Sequence, residues 1–116
     1  MPEDSDTPVM DTLAIMTLAS IENCHLSPRE LMLVRAAALI STGAPTGSYV
    51  LNVGAAADAG ITLEDVQDVL VAVAPIVGTS RVVSAVGSIS DALGFVIALA
   101  ELEAELEEAE DDDGQD

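Results

Sequence analysis

Two helix starts followed by apolar, alanine-containing runs constrain this chain more tightly than anything else in it. Ser27-Pro28-Arg29-Glu30 has the S-x-x-E spacing of a capping box with proline at the first helical position, and the run LMLVRAAALI behind it is apolar nearly all round. A short chain cannot surround such a helix completely, so a partner surface is the economical expectation. The second start, Thr62-Leu63-Glu64-Asp65, places two acids in a first turn, where the helix dipole favours them, and leads into VQDVLVAVAPIVG. β-branched residues are frequent here, yet the caps and the alanine content favour helix over strand. The expected fold is all-α, a small oligomeric subunit of about five helices.

The remaining elements follow from the same punctuation. Thr7-Pro8 reads as an N-cap with proline at N1, opening a helix through about Asn23. Its apolar positions Met10, Leu13, Ile15, Met16 and Leu18 cover more than one stripe. Gly43-Ala44-Pro45-Thr46-Gly47 reads as a turn, and a third helix follows from about Ser48 to Ala59 with Gly60 as a left-handed C-cap. Pro75 should kink or end the fourth helix. The last helix is expected from Thr79–Ser80 to about Ala109. Along it Phe95, Leu99, Leu102, Leu106 and Ala109 repeat at 4-3-4-3 spacing, a seam of the coiled-coil kind. Packing on its own chain is the commoner meaning of such a stripe; a contact between subunits is the other. Glu101, Glu103, Glu105, Glu107 and Glu108 flank it and would repel in a parallel self-pairing, leaving antiparallel or neutral-faced contact. The expected domain plan is a disordered acidic N-terminus over 1–6, one helical domain over 7–109 and a disordered acidic tail over 110–116.

Charge excludes more than it assigns. The net charge is −18, but residues 1–11 hold four acids and 101–116 hold ten, so the acidity is mostly terminal. The stretch between has seven acids against Arg29, Arg35 and Arg81. With no lysine and no basic cluster, nucleic-acid binding is not expected. Apolar runs such as Val69–Val77 fall short of the roughly 20 residues of a membrane span, so no membrane role is expected. One cysteine, Cys24, cannot form an internal disulfide, and no basic segment precedes an apolar one as in a secretory signal. A cytoplasmic protein is the expectation. The acidic tail reads as a solvated run, as a dock for a basic protein partner, or as a weak divalent-cation site.

Residues 28–95, from PRELMLVRAAALISTGAP through NVGAAADAGITLEDVQDVLVAVAPIVG to SDALGF, resemble the carboxymuconolactone decarboxylase and alkylhydroperoxidase-D-like family. The residues that carry the likeness are the capped L-S-P-R-E start, the A-x-x-A-G-I-T link and the E-x-V-Q-x-V-L helix behind it. The resemblance implies small helical subunits assembled as trimers, hexamers or larger rings. It also implies, for redox members, a CxxCxxxH run with a glutamate, in which one thiolate attacks a peroxide and the second resolves the product. Counting back from A-G-I-T, this chain has Pro45 and Ser48 at the cysteine positions and Asn52 at the histidine, with Met32 or Leu33 near the glutamate. Asn52 can hydrogen-bond but cannot shuttle a proton near neutral pH, so thiol peroxidase activity is not expected.

Two other groups of residues carry chemistry. Ser48, Tyr49 and Asn52 share roughly one helical face and offer a hydroxyl, a phenol and an amide where the family pocket would lie. Arg35 could add a positive charge for a carboxylate ligand. Arg35 could equally be ion-paired with Asp58, Glu64 or an acid of a neighbouring subunit, and Tyr49 could simply cap the core. Arg81 has the same two readings, with the salt bridge favoured. Cys24-His25 is the only thiol–imidazole pair, a possible reactive thiol, but neighbours in sequence rarely face each other and two ligands do not fill a metal shell. No metal or cofactor is expected. The function expected first is a catalytically degenerate family member acting as an assembly or interaction protein. The alternative is a divergent enzyme or small-molecule binder using Ser48, Tyr49, Asn52 and Arg35.

Overall fold

Most of the stops and caps that the sequence supplies are used by the backbone. A computed structural model describes residues 5–114, the side chains through residue 110, as five helices in chain order. They are α1 (Pro8–Asn23), α2 (Pro28–Thr42), α3 (Thr46–Asp58), α4 (Leu63–Val77) and α5 (Thr79–Gly114). Both capping boxes are complete. The Ser27 side chain accepts the Glu30 N–H while the Glu30 carboxylate accepts the Ser27 N–H, and Thr62 and Asp65 do the same at α4. Ser27 holds the Glu30 carboxyl below its usual range by these bonds.

The helix ends are equally legible. Gly43 sits at φ +69°, and the N–H groups of Gly43 and Ala44 return to Ile40 and Leu39, closing α2 in a Schellman turn. Gly60, at φ +79°, closes α3 in the same way with Ile61 donating to Ala56. Gly43 has a second duty: the Arg81 guanidinium lies where its Cβ would be, bringing a cation to the C-terminus of α2. Pro75 lies within the last turn of α4, which stops at Val77.

Three boundaries differ from expectation. Thr7 stands at the N-cap of α1 but its side chain caps no backbone N–H; its hydroxyl donates to Asp11, to which Ser5 also donates. α3 starts at Thr46, two residues early, because Pro45 has the extended conformation of an N-cap. α5 continues past Ala109 to Gly114, into the stretch expected to be disordered. The rest of the two expected disordered termini, residues 1–4 and 115–116, lies outside the described residues.

Packing is concentrated in one half of the molecule. Ile40 of α2, Val69 of α4 and Ala85 of α5 form the buried centre, surrounded by Leu33, Ala36, Val73 and Ile89. α3 lies along α5 and α2, where Tyr49 and Ala92 are buried. Outside this centre the chain is open. α1 packs against no other helix and buries no residue, while Val9, Met10, Leu13, Ile15, Met16, Leu18 and Ile21 are exposed along it. The seam of α5, expected most simply to pack on its own chain, does not: Phe95, Leu99, Leu102 and Leu106 are each about half exposed or more (47–58%). The radius of gyration is 17.5 Å, against roughly 13 Å for a compact chain of this length. The stretch Thr79–Glu110 is also long and apolar enough in composition to cross a membrane, which the shorter apolar runs did not suggest. Ala85 and Ala92, in its first half, are buried in the packed centre.

Candidate functional site

A cavity of about 290 Å³ opens where α2, α3, the start of α4 and α5 meet. That is close to the lower end of the range for small-molecule sites. Its walls are chiefly aliphatic: Met32, Leu39, Val53, Val66, Ile89 and Leu93 among others. The polar side chains on it are few, namely Arg35, Tyr49, Asn52 and Thr62. Among the described residues no Cys, His, Asp or Glu lines it.

The helix geometry explains how those groups come together. Arg35 projects from α2 one turn after Met32, and Tyr49 and Asn52 stand one turn apart on α3. Asn52 spends one amide N–H on the Ser48 carbonyl at 2.8 Å, which fixes its orientation. The Tyr49 hydroxyl is buried without a hydrogen-bond partner among the described residues, and the side chain is 8% exposed. Burial pushes its pKa up, so at neutral pH the phenol is a firmly protonated donor. A buried unpaired hydroxyl costs about 1–3 kcal/mol, so a partner at this point would be stabilising.

The structure thus brings together three of the four residues proposed for the pocket. Ser48 does not line the cavity; it contributes only its carbonyl, as the acceptor for Asn52. Arg35 is not ion-paired with Asp58 or Glu64: its Nη2 donates to Ser20 Oγ of α1 at 3.1 Å. Arg81 likewise forms no salt bridge among the described residues and lies over Gly43 instead. Among the described residues the one salt bridge is Arg29–Asp65. Arg29 reaches Asp65 through both terminal nitrogens, at 2.5 and 2.8 Å, and also donates to the Gly60 carbonyl. It ties the start of α2 to the start of α4. Arg29 and then the Thr62 N–H hold the Asp65 carboxyl well below the usual carboxylate range.

Cys24 and His25 share no hydrogen bond among the described residues. Cys24 is half-buried in extended backbone after α1, His25 is exposed, and neither lines the cavity. The wall supplied by Ile89, Ala92 and Leu93 of α5 had no mark in the sequence, because aliphatic residues in a helix look alike whether they face a core or a cavity.

The sequence model of the carboxymuconolactone decarboxylase family matches residues 7–91, so the chain belongs to that family. The match takes in α1, ahead of the stretch from residue 28 that carries the resemblance, and stops at Asp91, before the exposed seam of α5. No curated protein and no solved structure matches the chain.

Proposed function

We propose that this chain is a catalytically degenerate member of its family, serving as an assembly subunit that is completed by other copies of itself. The observation that carries the reading is α1, a helix of 16 residues with seven large exposed apolar side chains that packs on no other helix among the described residues and is tied to α2 by the Arg35–Ser20 hydrogen bond. Helices of this kind bury their faces somewhere, because isolated helices of that length are marginal in water. Among the described residues, the cavity where family chemistry would be sought has neither thiol, imidazole nor carboxylate on its walls. Thiol steps have no agent there among the described residues, and acid–base steps none but the Tyr49 phenol. The test is native mass spectrometry together with a peroxide-consumption assay. A defined oligomer that leaves peroxide untouched is the expected outcome; a monomer, or turnover of peroxide, overturns the reading.

A second reading rests on the Tyr49 hydroxyl. A buried donor without a partner among the described residues, on the same cavity as a guanidinium bonded to a serine, suits a compact apolar molecule ending in a carboxylate. Its body would fill the aliphatic walls and its oxygens would meet Tyr49 and Arg35. An extra mass on the native oligomer, lost in Tyr49→Phe and in Asn52→Leu with the oligomer intact, would support it. An empty oligomer from gently purified protein would count against it.

A further inference from the structure

The cation on the cavity has no anion of its own. Arg35 lines the cavity from α2 and is half-buried; among the described residues no Asp or Glu shares those walls or forms a salt bridge with it. The other two arginines are engaged elsewhere, Arg29 by Asp65 and Arg81 over Gly43. In a chain with 21 acidic residues against three arginines, a guanidinium without a carboxylate runs against the supply. Its hydrogen bond, 3.1 Å from Nη2, goes to the hydroxyl of Ser20, a neutral acceptor. A hydroxyl satisfies one N–H of the fork. It leaves the positive charge uncompensated and further donors available.

Ser20 belongs to a helix that is otherwise apart. α1 packs on no other helix, and among the described residues Arg35–Ser20 is the one hydrogen bond that joins it to another helix. The serine stands in the last turn of α1, and the short link from Cys24 to Ser27 keeps that turn close to α2. An arginine side chain gives up considerable rotamer freedom when it is held, so a stop that fixes the guanidinium in advance lowers the cost of binding. Ser20 is such a stop.

Resting on the carboxylate reading of the cavity above, we propose that Ser20 is the positioning residue of its charge site, holding the Arg35 guanidinium from α1 where the carboxylate of a compact aliphatic acid meets it. Nη2 carries a second N–H, so the serine and a carboxylate are held together rather than in competition. The aliphatic walls accept any apolar body that fits; the placed charge is what separates an acid from its neutral analogue. α1 thereby takes part in binding although none of its residues lines the cavity. The coupling is reciprocal: an acid that fixes Arg35 also fixes the anchor of α1.

The test uses the full chain at neutral pH, with cyclohexanecarboxylate and the neutral, similarly shaped cyclohexanecarboxamide as probes. Each is titrated by calorimetry into the native chain, Ser20→Ala and Ser20→Thr. Ser20 is exposed and alanine is the better helix former, so Ser20→Ala keeps the fold. The native chain should bind the acid more tightly than the amide. Ser20→Ala should weaken the acid about 10-fold, the loss of one hydrogen bond to a charged group, and leave the amide unchanged. Ser20→Thr, which keeps the hydroxyl, should restore the acid. Equal weakening of acid and amide means that Ser20 only supports the shape of the site, and overturns its positioning role. A preference for the acid that survives Ser20→Ala also overturns it, and leaves the carboxylate reading standing. A native chain that binds neither probe, or binds the amide as tightly as the acid, sinks the carboxylate reading and the role of Ser20 with it.

Discussion

The two ends of α5 show what separates a helix that is part of a fold from one that is only a helix. Its first half buries Ala85 and Ala92 against α2, α3 and α4, and small residues there let the backbones approach closely. Its second half carries larger side chains, Phe95, Leu99, Leu102 and Leu106, with a more regular apolar period, yet leaves them exposed. Regular periodicity therefore marks a surface made to be covered, but the covering element need not lie in the same chain. α1 repeats the lesson at the other terminus, held to the packed centre through Ser20 and Arg35.

The sharpest break between the two regions should appear when equal truncations are compared. Ile40→Ala, at the fully buried centre, should cost about 2–5 kcal/mol in urea unfolding at any protein concentration. Ile15→Ala on α1 should cost under about 0.5 kcal/mol at concentrations where the chain is a monomer, and more only as copies associate. Equal losses at both sites in the monomer would erase the distinction drawn here. Gly43→Ala comes next. It puts a Cβ at positive φ and into the Arg81 guanidinium, for a loss of about 1–2 kcal/mol read as a lower thermal midpoint. Ser27→Ala should remove about 1 kcal/mol by opening the capping box of α2, measured by the same unfolding curve.

The smallest effect is one of pH. The Asp65 carboxyl is depressed in the folded chain by Arg29 and the Thr62 N–H. A depressed carboxyl stabilises the fold above its unfolded pKa of about 3.9, and that stability is lost as pH falls through the lower folded value. Stability should therefore decline as the solution is acidified below about pH 5, and Asp65→Asn should flatten that slope. An unchanged acid slope in Asp65→Asn would show that the Arg29 pair contributes nothing measurable, as many exposed pairs do.

Much of this molecule could be read from its letters because the signals are local. Ser27 to Glu30, Thr62 to Asp65, Gly43 and Gly60 satisfy or release backbone groups within a turn, so their outcome depends on neighbours a few residues away. Tyr49 and Asn52 were found for the same reason: one helical turn fixes their common face. The partners of Arg35 and Arg81 were not legible. An arginine reaches far enough to choose among many acceptors, and the choice depends on where other helices lie. Nor did the seam reveal that it would stand clear of its own chain.

Sequence alone determined that the chain is helical, where α2, α3 and α4 stop, and that Pro45, Ser48 and Asn52 stand where the redox type has its thiols and imidazole. Tertiary structure decided which apolar faces meet. It placed Ile40, Val69 and Ala85 in one centre, gathered Arg35, Tyr49 and Asn52 around a cavity, and left α1 and the end of α5 bare. The physical reason is that capping acts between residues close in the chain, whereas burial is a non-directional preference that any apolar surface can satisfy. Only the packing of helices far apart in sequence selects one surface from the several that would serve.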